Sequence, residues 1–172
     1  MEQAHITETA LYVTFKLGDE IFALDVSQVR EILDIISITK IPQSEGFMRG
    51  IINVRGSVIP VVDMKRMFGM EQTEASKDSR IVVVELNMAG KTLMFGVMTD
   101  SVHDVIEIEP HQIERPPAVG ARLKTGSIKG IGKRDDQFIL IIDINKIFGS
   151  EALPEFSDSE DWNTTEQNAA AA

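Results

Sequence analysis

The chain has no cysteine among its 172 residues, so disulfides and thiolate chemistry are excluded. That fits a reducing compartment. Basic charge is scarce: 17 Lys and Arg stand against 27 Asp and Glu, a net charge of −10. Nucleic-acid binding needs clustered cations to neutralise phosphates and is not expected. Aromatic residues make up 6%, with one Trp and one Tyr, which is poor material for the stacking platform of a single-strand binder. Apolar runs are four or five residues long, such as Phe138 to Ile142, far short of the roughly 20 that cross a bilayer as a helix. The opening MEQAHITETA lacks the basic end and apolar stretch of a secretory signal. The expected location is therefore the cytoplasm, with no direct membrane insertion.

Catalytic constellations are also missing. There is no G-x-S-x-G. The nearest phosphate-loop candidate, GSIKGIGK at 126–133, has Ser127 where the first glycine is needed and Arg134 after Lys133. His103, Glu107, Glu109 and His111 would share a helical face, but Val105 to Glu109 alternates as a strand and Pro110 blocks a helix. That quartet reads as a solvated strand face, and neither a metal nor a cofactor is expected. His5 lies in a terminus expected to be frayed. Asp63 and Asp143 could suggest a catalytic dyad, yet each precedes a short helical stretch with glycine beyond it, so both read as N-caps. The methionines 64, 67, 88, 94 and 98 read as core filling. No enzyme activity is expected.

The negative charge is uneven. Residues 151–172 hold six acids and no base, the composition of a disordered, solubilising tail. Phe156 and Trp162 give that segment two apolar anchors through which it could act as a peptide ligand.

Most of what remains is an internal repeat. Residues 49–69, RGIINVRGSVIPVVDMKRMFG, align without a gap on 129–149, KGIGKRDDQFILIIDINKIFG, and six of 21 positions are identical. Ile21 to Leu24 matches Met94 to Val97, and Val29 to Ile32 matches Val102 to Val105, both at an offset of 73. The chain reads as two copies of a unit of about 75–80 residues rather than a solenoid.

Each copy is mostly β. In Leu11–Leu17 the residues Leu11, Val13, Phe15 and Leu17 alternate with Tyr12, Thr14 and Lys16, which predicts a half-buried strand with the second set outward. Gly18-Asp19 turns it into Glu20–Val26, and Arg80–Leu86 with Lys91–Met98 repeats the hairpin. Ser27 to Leu33 is compatible with a short helix capped by Ser27. Ile51–Val54 and Val58–Val62 flank a turn at Arg55-Gly56. A short helix follows each cap, from Asp63 to Phe68 and from Asp143 to Gly149. About five short strands per unit favour two small barrels.

Three segments together resemble the CheW-like family of coupling proteins. They are YVTFKLGDEIFALDVSQVREIL, the repeat segment with its N-[LV]-R-G-x-[VI]-x-P-[VI]-[VIL]-D core, and GIGKRDDQFILIIDINKIF. The resemblance covers about residues 9–149 and points to a stand-alone coupling protein. It implies a mostly β fold of two intertwined five-stranded SH3/OB-like barrels about a shared hydrophobic seam, with short helices. The implied layout is a flexible 1–8, a domain over 9–150 whose units 11–69 and 80–149 can exchange strands, and the tail 151–172. The implied function is a non-enzymatic adaptor with two partners: the signalling tip of chemoreceptors (methyl-accepting chemotaxis proteins) and the C-terminal regulatory domain of the histidine kinase CheA. Contacts among such barrels can build rings, and the chain would reach membrane receptor arrays through its partners. A family member serving a surface-motility or biofilm array is the alternative.

Matching positions make Val29, Glu31, Ile32, Asn53 and Arg55 the receptor-facing set. Val29 and Ile32 read equally as core, and Glu31 as a solvated helix charge. Arg55 is better placed, since it occupies a turn where any polar residue would serve the fold, and its counterpart in the second copy is Asp135. No kinase-facing residue stands out. Lys133 to Asp136 replaces the Asn-Val-Arg-Gly turn, so the two copies are not expected to bind the same partner.

Overall fold

The computed structural model describes residues 8–42, 46–88, 90–116 and 127–149. The expectations for the frayed amino terminus up to residue 7, the tail from 151 and Gly126 of the rejected phosphate loop lie outside those residues.

The first hairpin is β1, Ala10–Leu17, and β2, Glu20–Asp25, turning at Gly18-Asp19. A 3-10 turn, Val26–Gln28, leads into β3, Val29–Asp34. This corrects the expected helix over Ser27 to Leu33. Asp25, not Ser27, is the cap, its carboxylate accepting from the Ser27 amide, and only one turn forms before the chain extends. Pairing of β3 with β6 overrides the weak helical pattern. Then come β4, Met48–Val54, β5, Ser57–Asp63, and α1, Met64–Met67. The second half runs β6, Arg80–Met88, β7, Lys91–Thr99, and β8, Ser101–Ile108. A 3-10 turn, Pro110–Gln112, precedes the two-residue β9, Ile113–Glu114. The described chain closes with β10, Ile128–Arg134, β11, Gln137–Ile142, and α2, Ile144–Gly149.

The strands form two sheets, a five-stranded one ordered β3-β6-β7-β5-β4 and another ordered β8-β1-β2-β11-β10-β9. The second is five strands plus the short β9 at its edge. Each sheet draws strands from both halves of the sequence. The repeat is visible bond by bond. Met48↔Val62, a bulge, then Gly50↔Val61 through Val54↔Ser57 reappears as Ile128↔Ile142, a bulge, then Gly130↔Ile141 through Arg134↔Gln137. The Asp63 amide donates to the Phe47 carbonyl at 2.6 Å, and Asp143 to Ser127 at 2.8 Å. Val61 pairs in parallel with Gly96, and Ile141 with Ala23.

Three apolar clusters follow from this layout. One lies between the sheets and holds Phe15, Leu17, Phe22, Leu24, Val62, Val82, Val84 and Phe95, with Ile144, Ile147 and Phe148 of α2. A second, with Ile52, Ile59, Val61, Ile81, Val83 and Met98, belongs to the five-stranded sheet. The third, Tyr12, Ala23, Ile108, Ile139 and Ile141, belongs to the other. The run Ile81-Val82-Val83-Val84 is therefore buried on both faces, odd residues in one cluster and even in another. The same two-sided burial corrects the reading of β1. Leu11 is exposed, whereas Tyr12 and Thr14 are buried. β1 is an inner strand between β2 and β8, and the Thr14 hydroxyl both donates to the Asp104 carbonyl and accepts from its amide, each at 3.0 Å. That fills the bulge between the two strands.

Asp63 caps α1 as expected, accepting from the Lys65 amide at 3.2 Å. It is also fully buried and accepts from both the amide and the hydroxyl of Thr73, each at 2.8 Å. The Asp143 carboxylate accepts only from the Lys146 amide, at 3.3 Å, among the described contacts.

Candidate docking face

The β4–β5 turn has two central residues at positive φ, Arg55 at 51° and Gly56 at 86°. This is the requirement of a primed two-residue hairpin turn. Asn53 holds it, its side-chain oxygen accepting from the Gly56 amide at 2.9 Å. The turn carries the Arg55 side chain towards β3, at the opposite edge of the same sheet. There the guanidinium meets Glu31 in a two-point pair, Nη1 to Oε2 at 2.8 Å and Nη2 to Oε1 at 3.3 Å. Such fork-to-fork geometry fixes direction as well as distance. The Arg55 side chain is 80% exposed and Glu31 only 21%. A backbone bridge between Thr39 and Ile51 draws the same two edges together.

Register decides which way the other candidates face. β3 has a bulge between Val29 and Glu31. Val29 lies opposite Val84 and packs against the cluster between the sheets. Beyond the bulge, Glu31 and Leu33 lie opposite Val83 and Ile81, while Ile32 lies opposite Val82. Ile32 is therefore on the same side as Val29, at the sheet edge, and 42% exposed. Val58, opposite Asn53, is exposed as well. The structure thus brings Glu31, Asn53 and Arg55 together and sets Val29 and Ile32 on the other side of β3. Val29 is largely a packing residue, Ile32 an exposed one, and Glu31 a strand residue rather than a helix charge.

A second face on the other sheet was not found by aligning Arg55 with Asp135. The β10–β11 turn repeats the backbone, with Asp135 at φ 50° and Asp136 at 63°. The cation sits one residue earlier, where Arg134 reaches Asp104 of β8 at 4.0 Å. Asp104 is the offset-73 counterpart of Glu31. The pair is looser and more open, and Phe138, the counterpart of Val58, is 60% exposed. A cavity of about 380 Å³ lies beside it, lined in part by Val105, Glu107, Lys133 and Arg134. The sequence signal is a phenylalanine, Phe138, just beyond an Asp135-Asp136 turn that directly follows the basic pair Lys133-Arg134.

The remaining candidates pair locally. His103 Nε2 lies 3.0 Å from the Ser101 hydroxyl, and His111 Nδ1 lies 3.2 Å from Glu109. Among the described residues no group of His, Asp and Glu could hold a metal ion. No described helix is long and apolar enough to cross a membrane.

Two sheets that share strands between the halves of the chain, with polar turns at their rims, define the architecture. Comparison with known proteins agrees. The model of the CheW-like domain matches residues 11–152, and the chain belongs to the CheW-like family. It is 30% identical to a chemotaxis protein CheW of Klebsiella aerogenes over 142 residues, 83% of each chain. It is also 30% identical to that of Thermotoga maritima over 143 residues, 83% of this chain and 90% of the relative. The crystal structure of the scaffolding protein TtCheW from Thermoanaerobacter tengcongensis superposes with a TM-score of 0.72 at 42% identity, covering 83% of this chain and 94% of that one.

Proposed function

We propose that this protein is a non-enzymatic cytoplasmic adaptor that couples chemoreceptors to the histidine kinase CheA. Family membership supports the scaffold role. The observation that carries the reading is the Arg55–Glu31 fork on the rim of the five-stranded sheet. An arginine held in a defined direction yet 80% exposed is pre-organised for a carboxylate or carbonyl on a partner. Ile32 and Val58 supply exposed apolar area on the same sheet. Receptor contacts are assigned to Glu31, Ile32, Asn53 and Arg55, with Val29 supporting them from below. The kinase domain is assigned to the other sheet, whose rim has different charges and an exposed Phe138. Two unlike faces let one chain bridge two partners, and head-to-tail contacts of this kind close into rings.

The test is co-sedimentation of the full chain with receptor signalling fragments and kinase, separately and together. Adaptor function requires binding to each alone and kinase recruitment to receptor only when the chain is present. Failure to bridge them, with both partners folded, overturns the reading.

A further inference from the structure

A second cavity of about 380 Å³ opens between the segment after β3 and the segment after α1. It is lined by the apolar Ile35, Ile38, Ile41, Met48 and Met98 and by the cations Lys40 and Arg49. Arg49 Nη1 is buried and has no hydrogen-bond acceptor. The guanidinium of Arg66 lies next to Gly46, another lining residue, its Nη2 3.3 Å from where a Cβ there would stand. Among the described residues, none of Lys40, Arg49 and Arg66 forms an ion pair. Three unpaired cations around an isoleucine-rich hollow are out of character for a chain of net charge −10. A buried guanidinium nitrogen without an acceptor is costly and asks for one. Gln72 and Ala75 also line the cavity and add no cation.

We propose that this cavity is the docking site of the chain's own acidic carboxy-terminal segment, residues 151–172. The chemistry is complementary. That segment has Glu151, Glu155, Asp158, Glu160, Asp161 and Glu166 with no base, and Phe156 and Trp162 as large apolar groups. Carboxylates meet Lys40, Arg49 and Arg66, and a ring enters the hollow lined by Ile35, Ile38 and Met98. Reach is sufficient. The 13 residues from Gly149 to Trp162 span up to about 43 Å when extended. The folded part has a radius of gyration of only about 14 Å. Tethering supplies an effective concentration on the order of millimolar, so a weak contact is populated.

Trp162 is the only tryptophan, and its fluorescence therefore reports the tail alone. In the full-length protein at about 0.01 M salt, emission should lie to the blue of its position in denaturant and resist quenching by acrylamide. It should return towards the denatured position at about 1 M salt, where the screening length falls from about 30 to about 3 Å. Arg49→Glu and, independently, the exposed-site Lys40→Glu should shift emission to the red with an unchanged melting midpoint. Lys40→Glu keeps the test decisive should Arg49→Glu fail to fold. Emission that coincides with the denatured position at low salt overturns the proposal. So does a blue shift indifferent to Lys40→Glu, which would place Trp162 elsewhere. A shift that grows with protein concentration would assign the cavity to another copy's tail and overturn docking within one chain.

Discussion

At Arg55 the backbone has a φ of 51°, a region that costs a residue with a Cβ about 1–2 kcal/mol. Its ion pair with Glu31 is too exposed on the arginine side to return more than about 1 kcal/mol. Glycine would serve the turn better, so the arginine is kept for what it does at the surface. Arg55→Gly should fold with a melting midpoint at or above that of the parent. If Arg55 forms a desolvated charge pair with receptor, the variant should lose about 2–5 kcal/mol of binding. The charge swap Glu31→Arg with Arg55→Glu separates two origins of that loss: restored binding would mean that the internal pair is what the partner reads. Continued loss, measured by titration against receptor fragment, points to a carboxylate on the partner.

Two aspartates that look alike in sequence are predicted to differ. Asp63→Ala leaves the Thr73 amide and hydroxyl without their acceptor in a buried place, and should cost about 3 kcal/mol. Asp143→Ala removes a cap alone and should cost about 1 kcal/mol. Denaturant titration of both variants checks the difference, and equal costs would remove the Thr73 contact from the account. Tyr12 offers a pH signature. Burial, and secondarily the charge of Asp25, raise its phenol above the usual 10.0. The folded state therefore holds this proton more tightly than the unfolded chain. The stabilisation is complete below about pH 10 and is lost as pH rises through the folded value. Tyr12→Phe should flatten the alkaline limb of the stability–pH curve and leave neutral pH nearly unaffected.

At the level of elements, most hairpins were legible because strand alternation and glycine turns are local signals. The misreadings were of environment. Alternation points Tyr12 and Thr14 outward because it assumes one wet face, whereas β1 is covered on both. Ser27 to Leu33 is compatible with a helix because nothing in seven residues reveals a partner strand about 50 positions further on. The candidate site divided likewise. The Arg55 turn was visible, while its pairing with Glu31 depends on two sheet edges meeting and is not written in either segment. One glycine shows how tight that closure is. A Cβ on Gly50, at φ 142°, would stand 2.1 Å from the Thr39 carbonyl oxygen. Something in the backbone would have to move. Gly50→Ala should break the Thr39–Ile51 bridge, release the segment that approaches β4, and lower both the melting midpoint and receptor binding. Amide exchange at Thr39 and Ile51 is the direct readout, and full protection in the variant would contradict the account.

At the scale of the whole molecule, the halves of the sequence and the units of the structure do not coincide. β1 and β2 pair with β8 and β11, while β3 and β5 pair with β6 and β7. A fragment of residues 1–75 would retain only the β1–β2 and β4–β5 hairpins, and two-stranded hairpins are marginal in water. Its partner, residues 76–172, would retain β6–β7 and β10–β11, the latter extended only by the two-residue β9. Neither fragment should show a cooperative unfolding transition alone. Mixed in equal amounts, they should regain strand circular dichroism and a single transition whose midpoint rises with concentration, because folding has become association. The cut falls between Ala75 and Ser76, and it leaves the Asp63–Thr73 contact inside the first fragment. Loss of that contact therefore cannot explain a failure to fold. The cluster between the sheets, which takes Phe15 and Phe22 from one fragment and Val82, Val84, Phe95 and Phe148 from the other, would be completed only by association. A cooperative transition for residues 1–75 alone would show instead that each half is a folding unit and that the shared strands are a late docking step.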